Sequence, residues 1–88
     1  MIRRRLLIAG RVQGVYYRDT CRRMAESHGV TGWVRNLHDG RVEAVFEGPA
    51  APVAALVAWA AEGPESAVVT GVAVHEEPPQ GLPTFDIR

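Results

Sequence analysis

The sequence predicts an α+β fold in which a four- to five-stranded, mainly antiparallel sheet carries two helices on one face, in the order β-α-β-β-α-β. Three observations predict it. Four segments have the apolar alternation or the valine content of strands, and two others have apolar residues at helical spacing. An Asp-Gly pair, Asp39-Gly40, separates two strand-like segments as a hairpin turn does. Glycine follows both helical segments, where helices commonly end.

The first strand is predicted over residues 2 to 12. Its apolar side chains alternate with arginines, so we expect one face to be buried and the other to lie in solvent. The buried set is Leu6, Ile8 and Val12, and the solvated set is Arg3, Arg5 and Arg11. The next residues, Gln13 to Tyr17, contain a glycine and interrupt the alternation, which indicates a loop.

A helix is predicted from about Arg18 to His28, because the apolar spacing changes from two residues to the three and four of a helix. Its apolar stripe consists of Cys21, Met24, Ala25 and His28. Strand character then returns over residues 30 to 37 and over residues 41 to 47, on either side of the Asp-Gly turn. The second of these strands alternates Val42, Ala44 and Phe46 with Arg41, Glu43 and Glu47.

The second helix is predicted from a stripe that Pro52 opens and Gly63-Pro64 closes. The stripe residues are Val53, Leu56, Val57 and Ala60. A valine-rich strand follows over residues 66 to 76, then a proline-rich connector and a short strand over residues 84 to 88. Two helices on one face of this sheet would bury all the apolar faces at once, which is the ferredoxin-like, split β-α-β-β-α-β arrangement.

Composition predicts a single domain over residues 1–88. Ten basic and ten acidic residues give a net charge of zero, so no electrostatic attraction to nucleic acid or an anionic membrane is expected. One cysteine excludes an intrachain disulfide, and no apolar run approaches the roughly 20 residues of a membrane span. We predict a cytoplasmic monomer without cofactor or metal, since the three histidines show no metal-ligand spacing.

Two polar motifs should meet at one edge of the sheet. In a split βαβ unit the first two strands run parallel, so their carboxyl ends lie at the same edge. The glycine loop leaves the first strand there, and Asn36 lies near the end of the second. Arg18 begins the helix that follows the loop, and the positive end of the helix dipole points to the same place. We therefore predict that the loop, Arg18 and Asn36 form one site for a phosphoryl group.

The residues of this predicted site support only a few kinds of reaction. The loop lacks the Gly-Lys-Ser/Thr of a nucleotide-binding P-loop. Cys21 has Ser27, not arginine, six positions later, so it lacks the signature of a cysteine phosphatase. An anion-binding loop, a guanidinium group and an amide can hold a phosphoryl group and orient water. They would suffice for an activated substrate with a good leaving group.

Three segments of the chain form a distinctive set. They run from Gly10 to Arg18 (Gly-Arg-Val-Gln-Gly-Val-Tyr-Tyr-Arg), from Gly32 to Asn36 (Gly-Trp-Val-Arg-Asn) and from Asp39 to Glu43 (Asp-Gly-Arg-Val-Glu). Together they resemble the acylphosphatase family. The likeness covers almost the whole chain, including Glu47-Gly48-Pro49 and the closing Phe85-Asp86-Ile87-Arg88. It implies hydrolysis of carboxyl-phosphate anhydrides to carboxylate and phosphate, without a metal or a covalent intermediate.

The resemblance also implies roles for single residues. Arg18 and the backbone amides of the loop would hold the phosphate, and Asn36 would position the attacking water. The phosphate-binding loop then consists of Gln13, Gly14, Val15, Tyr16, Tyr17 and Arg18. Two residues depart from the family pattern. Tyr17 stands where phenylalanine is common, and Leu37 stands where many members have threonine. Because the motif contacts only the phosphate, we expect the acyl group to be weakly recognised.

Two other functions are compatible with the fold. RNA-recognition domains share this general arrangement, but the strand over residues 42 to 47 lacks the paired aromatic and basic residues of an RNA-binding surface. The other alternative is a regulatory domain that binds an anion without turnover. Arg18 and Asn36 argue against it, and a turnover assay distinguishes the two.

Overall fold

The computed structural model describes residues 1–88, with five strands and two helices in the predicted order. The elements are β1 (Ile2–Arg11), α1 (Tyr17–Ser27), β2 (Thr31–Asn36), β3 (Val42–Gly48), α2 (Ala50–Ala60), β4 (Val68–Glu77) and β5 (Phe85–Ile87). Neither helix is of a length and hydropathy to cross a membrane.

The five strands form one sheet in the order β4-β1-β3-β2-β5. Strand β3 lies between β1 and β2 and is antiparallel to both, so β1 and β2 run in the same direction. The short strand β5 is parallel to β2, with Val34 opposite Ile87. The carboxyl ends of β1, β2 and β5 therefore meet at one edge of the sheet, which we call the site edge.

The two helices pack on one face of the sheet and enclose the core, as the alternation predicted. The buried cluster contains Leu6, Ile8, Val12, Tyr17, Cys21, Ala25, Val30, Val34, Val42, Ala44, Phe46, Val53, Leu56, Ala60 and Phe85. One stripe residue differs from its prediction: His28 follows the last residue of α1 and is exposed.

Gly32 allows β2 to run close beside β3. Its φ angle is 140°, and a Cβ atom on it would lie 1.8 Å from the carbonyl oxygen of Val45. No L side chain fits in that space, because the obstacle is backbone. Gly32 therefore permits the pairing that carries Asn36 to the site edge.

We call the opposite face of the sheet the open face. The prediction that its arginines are solvated was wrong for Arg3. Arg3 is buried, and its guanidinium group pairs with Glu47 at 2.6 Å and Glu77 at 2.9 Å. Arg5 joins Glu77 to Glu43, and Arg35 pairs with Glu43 at 2.6 Å. Alternating charges therefore cross the open face from β2 to β4, and each charge has a partner.

The connector between β4 and β5 buries the end of this network. Glu47 is only 1% exposed, and its carboxylate accepts hydrogen bonds from the backbone amides of Gln80, Gly81 and Leu82 at 3.0–3.2 Å. Together with Arg3, these donors satisfy a charge that would otherwise be costly to bury. We call residues 78 to 83 the strap, because they lie against the open face and are held there by Glu47.

Candidate active site

A tight loop joins β1 to α1 at the site edge. Two of its residues have left-handed backbone: Gly14 has a φ angle of 73° and Tyr16 one of 63°. Glycine adopts this conformation readily, whereas Tyr16 is the only non-glycine residue of the chain with a positive φ. These two residues reverse the chain sharply, so that α1 begins directly behind the loop.

The loop presents free hydrogen-bond donors. The backbone amides of residues 14 to 18 donate to no carbonyl group of the protein, and no side chain caps the start of α1. The carbonyl group of Val15 is turned away instead, where it accepts a hydrogen bond from Ser66 Oγ at 2.9 Å. Unpaired amides at the positive end of a helix dipole suit an anion such as phosphate.

The side chain of Gln13 ties the loop to the β2–β3 hairpin. Its Nε2 donates to the carbonyl oxygens of Leu37 at 2.7 Å and Arg41 at 3.0 Å. The amide side chain therefore does not contribute to an anion site, although Gln13 belongs to the predicted loop. It fixes the loop relative to the hairpin that carries Asn36.

Arg18 lies at the second position of α1, half-buried, and lines the cleft beside the loop. It forms no ion pair and donates no side-chain hydrogen bond in the protein, unlike most arginines of this chain. Its neighbour Asp19 also lines the cleft, but pairs with Arg23 at 3.6 Å. The planar guanidinium group of Arg18 is therefore free to bind an oxyanion through two donors.

Asn36 brings an unpartnered amide oxygen into the same cleft. It is the last residue of β2 and lies opposite Val42 of β3. Paired residues point to the same face of a sheet, and Val42 is buried in the core, so the Asn36 side chain lies on the helix-covered face. Its Oδ1 atom is buried and accepts no hydrogen bond within the protein. Buried side-chain oxygens nearly always have a donor, so this atom is suited to accept one from water or a ligand.

Five of the predicted site residues line one cleft of about 350 Å³, within the range of ligand pockets. Of the predicted set, Gly14, Tyr16, Tyr17, Arg18 and Asn36 line it, whereas Gln13 and Val15 do not. Sequence reasoning missed three lining residues, Val12, Asp19 and Ile87. The signal for Ile87 was the closing apolar strand, but its parallel pairing with β2 was not evident from three residues.

Tyr17 anchors the start of α1 in the core. Its hydroxyl donates to the carbonyl oxygen of Ala60, at the end of α2, at 2.7 Å, and its ring packs against Trp59 with 5.2 Å between centroids. Burial, and then the nearby Cys21 thiol, raise the pKa of Tyr17 far above its usual range, so the hydroxyl stays protonated and donates. The hydroxyl group that distinguishes Tyr17 from the phenylalanine common in the family therefore has a hydrogen-bond partner in this protein.

Replacing Tyr17 with phenylalanine should lower the free energy of unfolding by about 1–3 kcal/mol, because the carbonyl group of Ala60 loses its donor. Urea denaturation measures this change. Tyr16→Phe is the matched control, since the Tyr16 side chain is exposed and donates no hydrogen bond. Equal stability of the two variants would contradict the anchoring role.

Cys21 is buried in the core, and burial raises the pKa of its thiol well above the usual range. A protonated, inaccessible thiol is not a nucleophile. No group of three or more His, Cys, Asp or Glu side chains in the chain has the arrangement to hold a metal ion. The residues that line the cleft therefore supply backbone donors, a guanidinium group, an amide, apolar side chains and the carboxylate of Asp19, which pairs with Arg23.

The family model described as Acylphosphatase matches residues 4–87. The chain belongs to the acylphosphatase family. An acylphosphatase of Haloarcula marismortui is 57% identical over 86 residues, which cover 98% of this chain and 94% of that protein. One of Rubrobacter xylanophilus is 61% identical over 85 residues, which cover 96% of this chain and 77% of that protein.

The solved structures agree with the family. The crystal structure of acylphosphatase from Bacillus subtilis matches with a TM-score of 0.96 and 35% identity, over 100% of this chain and 99% of that chain. Family and fold together support acyl phosphate hydrolysis, with a small-molecule acyl phosphate as substrate and phosphate as product. The acylphosphatase resemblance, the enzyme class and the ferredoxin-like fold predicted from the sequence are confirmed.

Proposed function

We propose that the protein hydrolyses the carboxyl-phosphate anhydride bond of acyl phosphates, with Arg18 and the loop amides holding the phosphate and Asn36 orienting the attacking water. One observation carries the proposal. An uncommitted guanidinium group, five consecutive free amides and a buried, unpartnered amide oxygen line or adjoin the same cleft. None of these groups has a hydrogen-bond or ion-pair partner within the protein. The oxygens of a phosphoryl group would accept from the guanidinium group and the amides, and the attacking water would donate to the amide oxygen.

Phosphate binding rests on fixed donors. The loop is held by Ser66 on one side and by Gln13 on the other, so its amides do not need to reorganise when an anion arrives. Arg18 adds positive charge and a bidentate donor pair. Donors fixed in this way stabilise the charge that develops on the phosphoryl oxygens in the transition state.

Water attack requires one further group. The Oδ1 of Asn36 accepts a hydrogen bond from the water, whose oxygen then bonds to phosphorus as the anhydride P–O bond breaks. The electron pair of that bond leaves with the carboxylate. The proton of the water passes to a phosphate oxygen, so the protein needs no strong base. Since a carboxylate is a good leaving group, orientation and electrostatic stabilisation suffice.

The finer properties of the enzyme belong to the same proposal. Activity as a monomer stays a prediction. The guanidinium group of Arg18 supplies the charge that a metal supplies elsewhere, so we propose turnover that is insensitive to chelators. The arginines of the open face are paired with carboxylates, which disfavours binding of RNA on that face. A cytoplasmic location also stays a prediction.

The experiment that tests the proposal is hydrolysis of benzoyl phosphate by the purified protein, with and without chelator. We expect turnover with release of one phosphate per substrate, unchanged by the chelator, and competitive inhibition by inorganic phosphate. Folded protein that binds phosphate without turnover would overturn the proposal in favour of an anion-sensing domain. Loss of activity with chelator would overturn its metal-independent part.

Replacing Asn36 with alanine should lower kcat by about 10²-fold, by analogy with the loss of one oriented hydrogen-bonding group in other hydrolases. Inhibition by phosphate should be nearly unchanged, because the loop and Arg18 are intact. Steady-state kinetics with benzoyl phosphate, with phosphate as the inhibitor, measure both quantities. Full turnover in the variant would show that Asn36 does not orient the water.

A further inference from the structure

The cleft contains exposed apolar side chains that phosphate binding does not use. Five large apolar residues of the chain are exposed, namely Met1, Tyr16, Val68, Val74 and Ile87. Two of them, Tyr16 and Ile87, line the cleft beside Arg18 and Asn36. Tyr16 is 79% exposed and Ile87 is 37% exposed. An anion site alone does not explain an aromatic ring and an aliphatic side chain at its border.

A contribution to stability does not explain why a tyrosine occupies position 16. Its backbone is left-handed, a conformation that is costly for a large L side chain and easy for glycine or asparagine. The ring is not buried, and its hydroxyl makes no hydrogen bond within the protein. Strained residues that gain nothing from packing occur mainly at functional sites.

Both side chains project from backbone that is held in place. The carbonyl group of Val15, next to Tyr16, accepts the hydrogen bond from Ser66. Ile87 pairs with Val34 in β5, and the next amide, that of Arg88, donates to the carbonyl oxygen of Val34 at 2.9 Å. Fixed apolar groups of this kind bind a ligand without a large loss of conformational entropy.

We propose that Tyr16 and Ile87 form a subsite for the acyl group and that the protein prefers acyl phosphates with flat, apolar acyl groups, such as aromatic ones. This inference rests on the proposed function and deepens it. A cleft of about 350 Å³ has room beyond a phosphate group. The polar part holds the phosphate, and the ring of Tyr16 offers a face on which an aromatic acyl group stacks. It differs from the expectation that the acyl group is weakly recognised, and the kinetic test below decides between the two.

The test compares kcat/KM for benzoyl phosphate with kcat/KM for acetyl phosphate. In Tyr16→Asn, which suits the left-handed backbone, we expect the ratio to fall about tenfold, mainly through KM for benzoyl phosphate. Tyr16→Phe keeps the ring and should keep the ratio. Ile87→Ala should lower it in the same direction. Val74→Ala, an exposed apolar residue of β4 away from the cleft, is the matched control and should leave it unchanged.

Thermal unfolding gives a second readout. Tyr16→Asn should unfold at the same temperature as the wild type or a higher one, because the tyrosine is not placed there for stability. An unchanged ratio in both Tyr16→Asn and Ile87→Ala, with active wild type, would overturn the subsite alone. Failure of the wild type to hydrolyse either substrate would overturn the proposed function and the subsite together.

Discussion

Replacing Arg18 with alanine should lower kcat/KM for benzoyl phosphate by at least about 10³-fold, in line with arginines that stabilise transferred phosphoryl groups in other enzymes. Inorganic phosphate should also lose most of its inhibition. The reason is that no other arginine lines the cleft, so Asp19 would be the only charged residue left in its lining. Arg18→Lys should recover little, since a point charge does not replace a planar pair of donors.

Arg22→Ala is the matched control for Arg18. It removes an arginine from the same helix, one turn further on, where the side chain is exposed and pairs with Glu26 at 3.8 Å. We expect this variant to keep its activity. Circular dichroism and urea denaturation should show that all three variants are folded. An Arg18→Ala protein with near wild-type kcat/KM would remove Arg18 from the site.

Replacing Glu47 with alanine should have the largest effect on stability, about 3 kcal/mol of unfolding free energy. Removing one partner of a buried ion pair typically costs 3–5 kcal/mol, because the other charge stays buried. We expect the lower end, since Arg3 keeps its contact with Glu77. The amides of Gln80, Gly81 and Leu82 also lose their acceptor, so the strap should detach from the open face.

Urea denaturation measures the stability, and hydrogen exchange measures protection of the strap amides. Glu26→Ala is the matched control, because it removes the same kind of ion pair at an exposed position, where such pairs contribute about 0.5 kcal/mol or less. Equal destabilisation by the two substitutions would contradict the role of Glu47. Unchanged protection of residues 80 to 82 would show that the strap is held by other contacts.

The same carboxylate makes stability depend on pH. Burial alone would raise the pKa of Glu47, but the hydrogen bonds from Arg3 and from the strap amides together hold it below the ordinary glutamate value. Its contribution is therefore present above the unfolded pKa, near 4.3, and is lost as pH falls through the lower folded value. The stability difference between wild type and Glu47→Ala should shrink progressively as pH falls below about 5.

Most of the fold followed from local patterns. The element boundaries lie close to those predicted, because alternation and helical spacing report which side chains face the core. The site edge was also predictable, since the order of elements requires β1 and β2 to run parallel. Asn36 and Arg18 could therefore be placed together although 18 positions separate them in the sequence.

The open face was not predictable in the same way. A run of three arginines near the start of a strand resembles a solvated surface, and nothing local distinguishes Arg3 from Arg5, which lies on the same face. Arg3 is buried because Glu47, Glu77 and the strap reach it from positions 44 or more residues away in the chain. Whether a charge is buried depends on partners that only the folded chain brings together.

The sequence by itself determined the elements, their order and the two motifs that meet at the site edge, because periodicity and turn residues act over a few neighbouring positions. Only the tertiary structure decided which donors are free and which are occupied. The side chain of Gln13 is bound to the hairpin and that of Arg3 to the carboxylates of Glu47 and Glu77. Arg18, the loop amides and the Oδ1 atom of Asn36 have no partner within the protein. It also decided that Ile87 joins the cleft, because the direction of β5 depends on its pairing with β2.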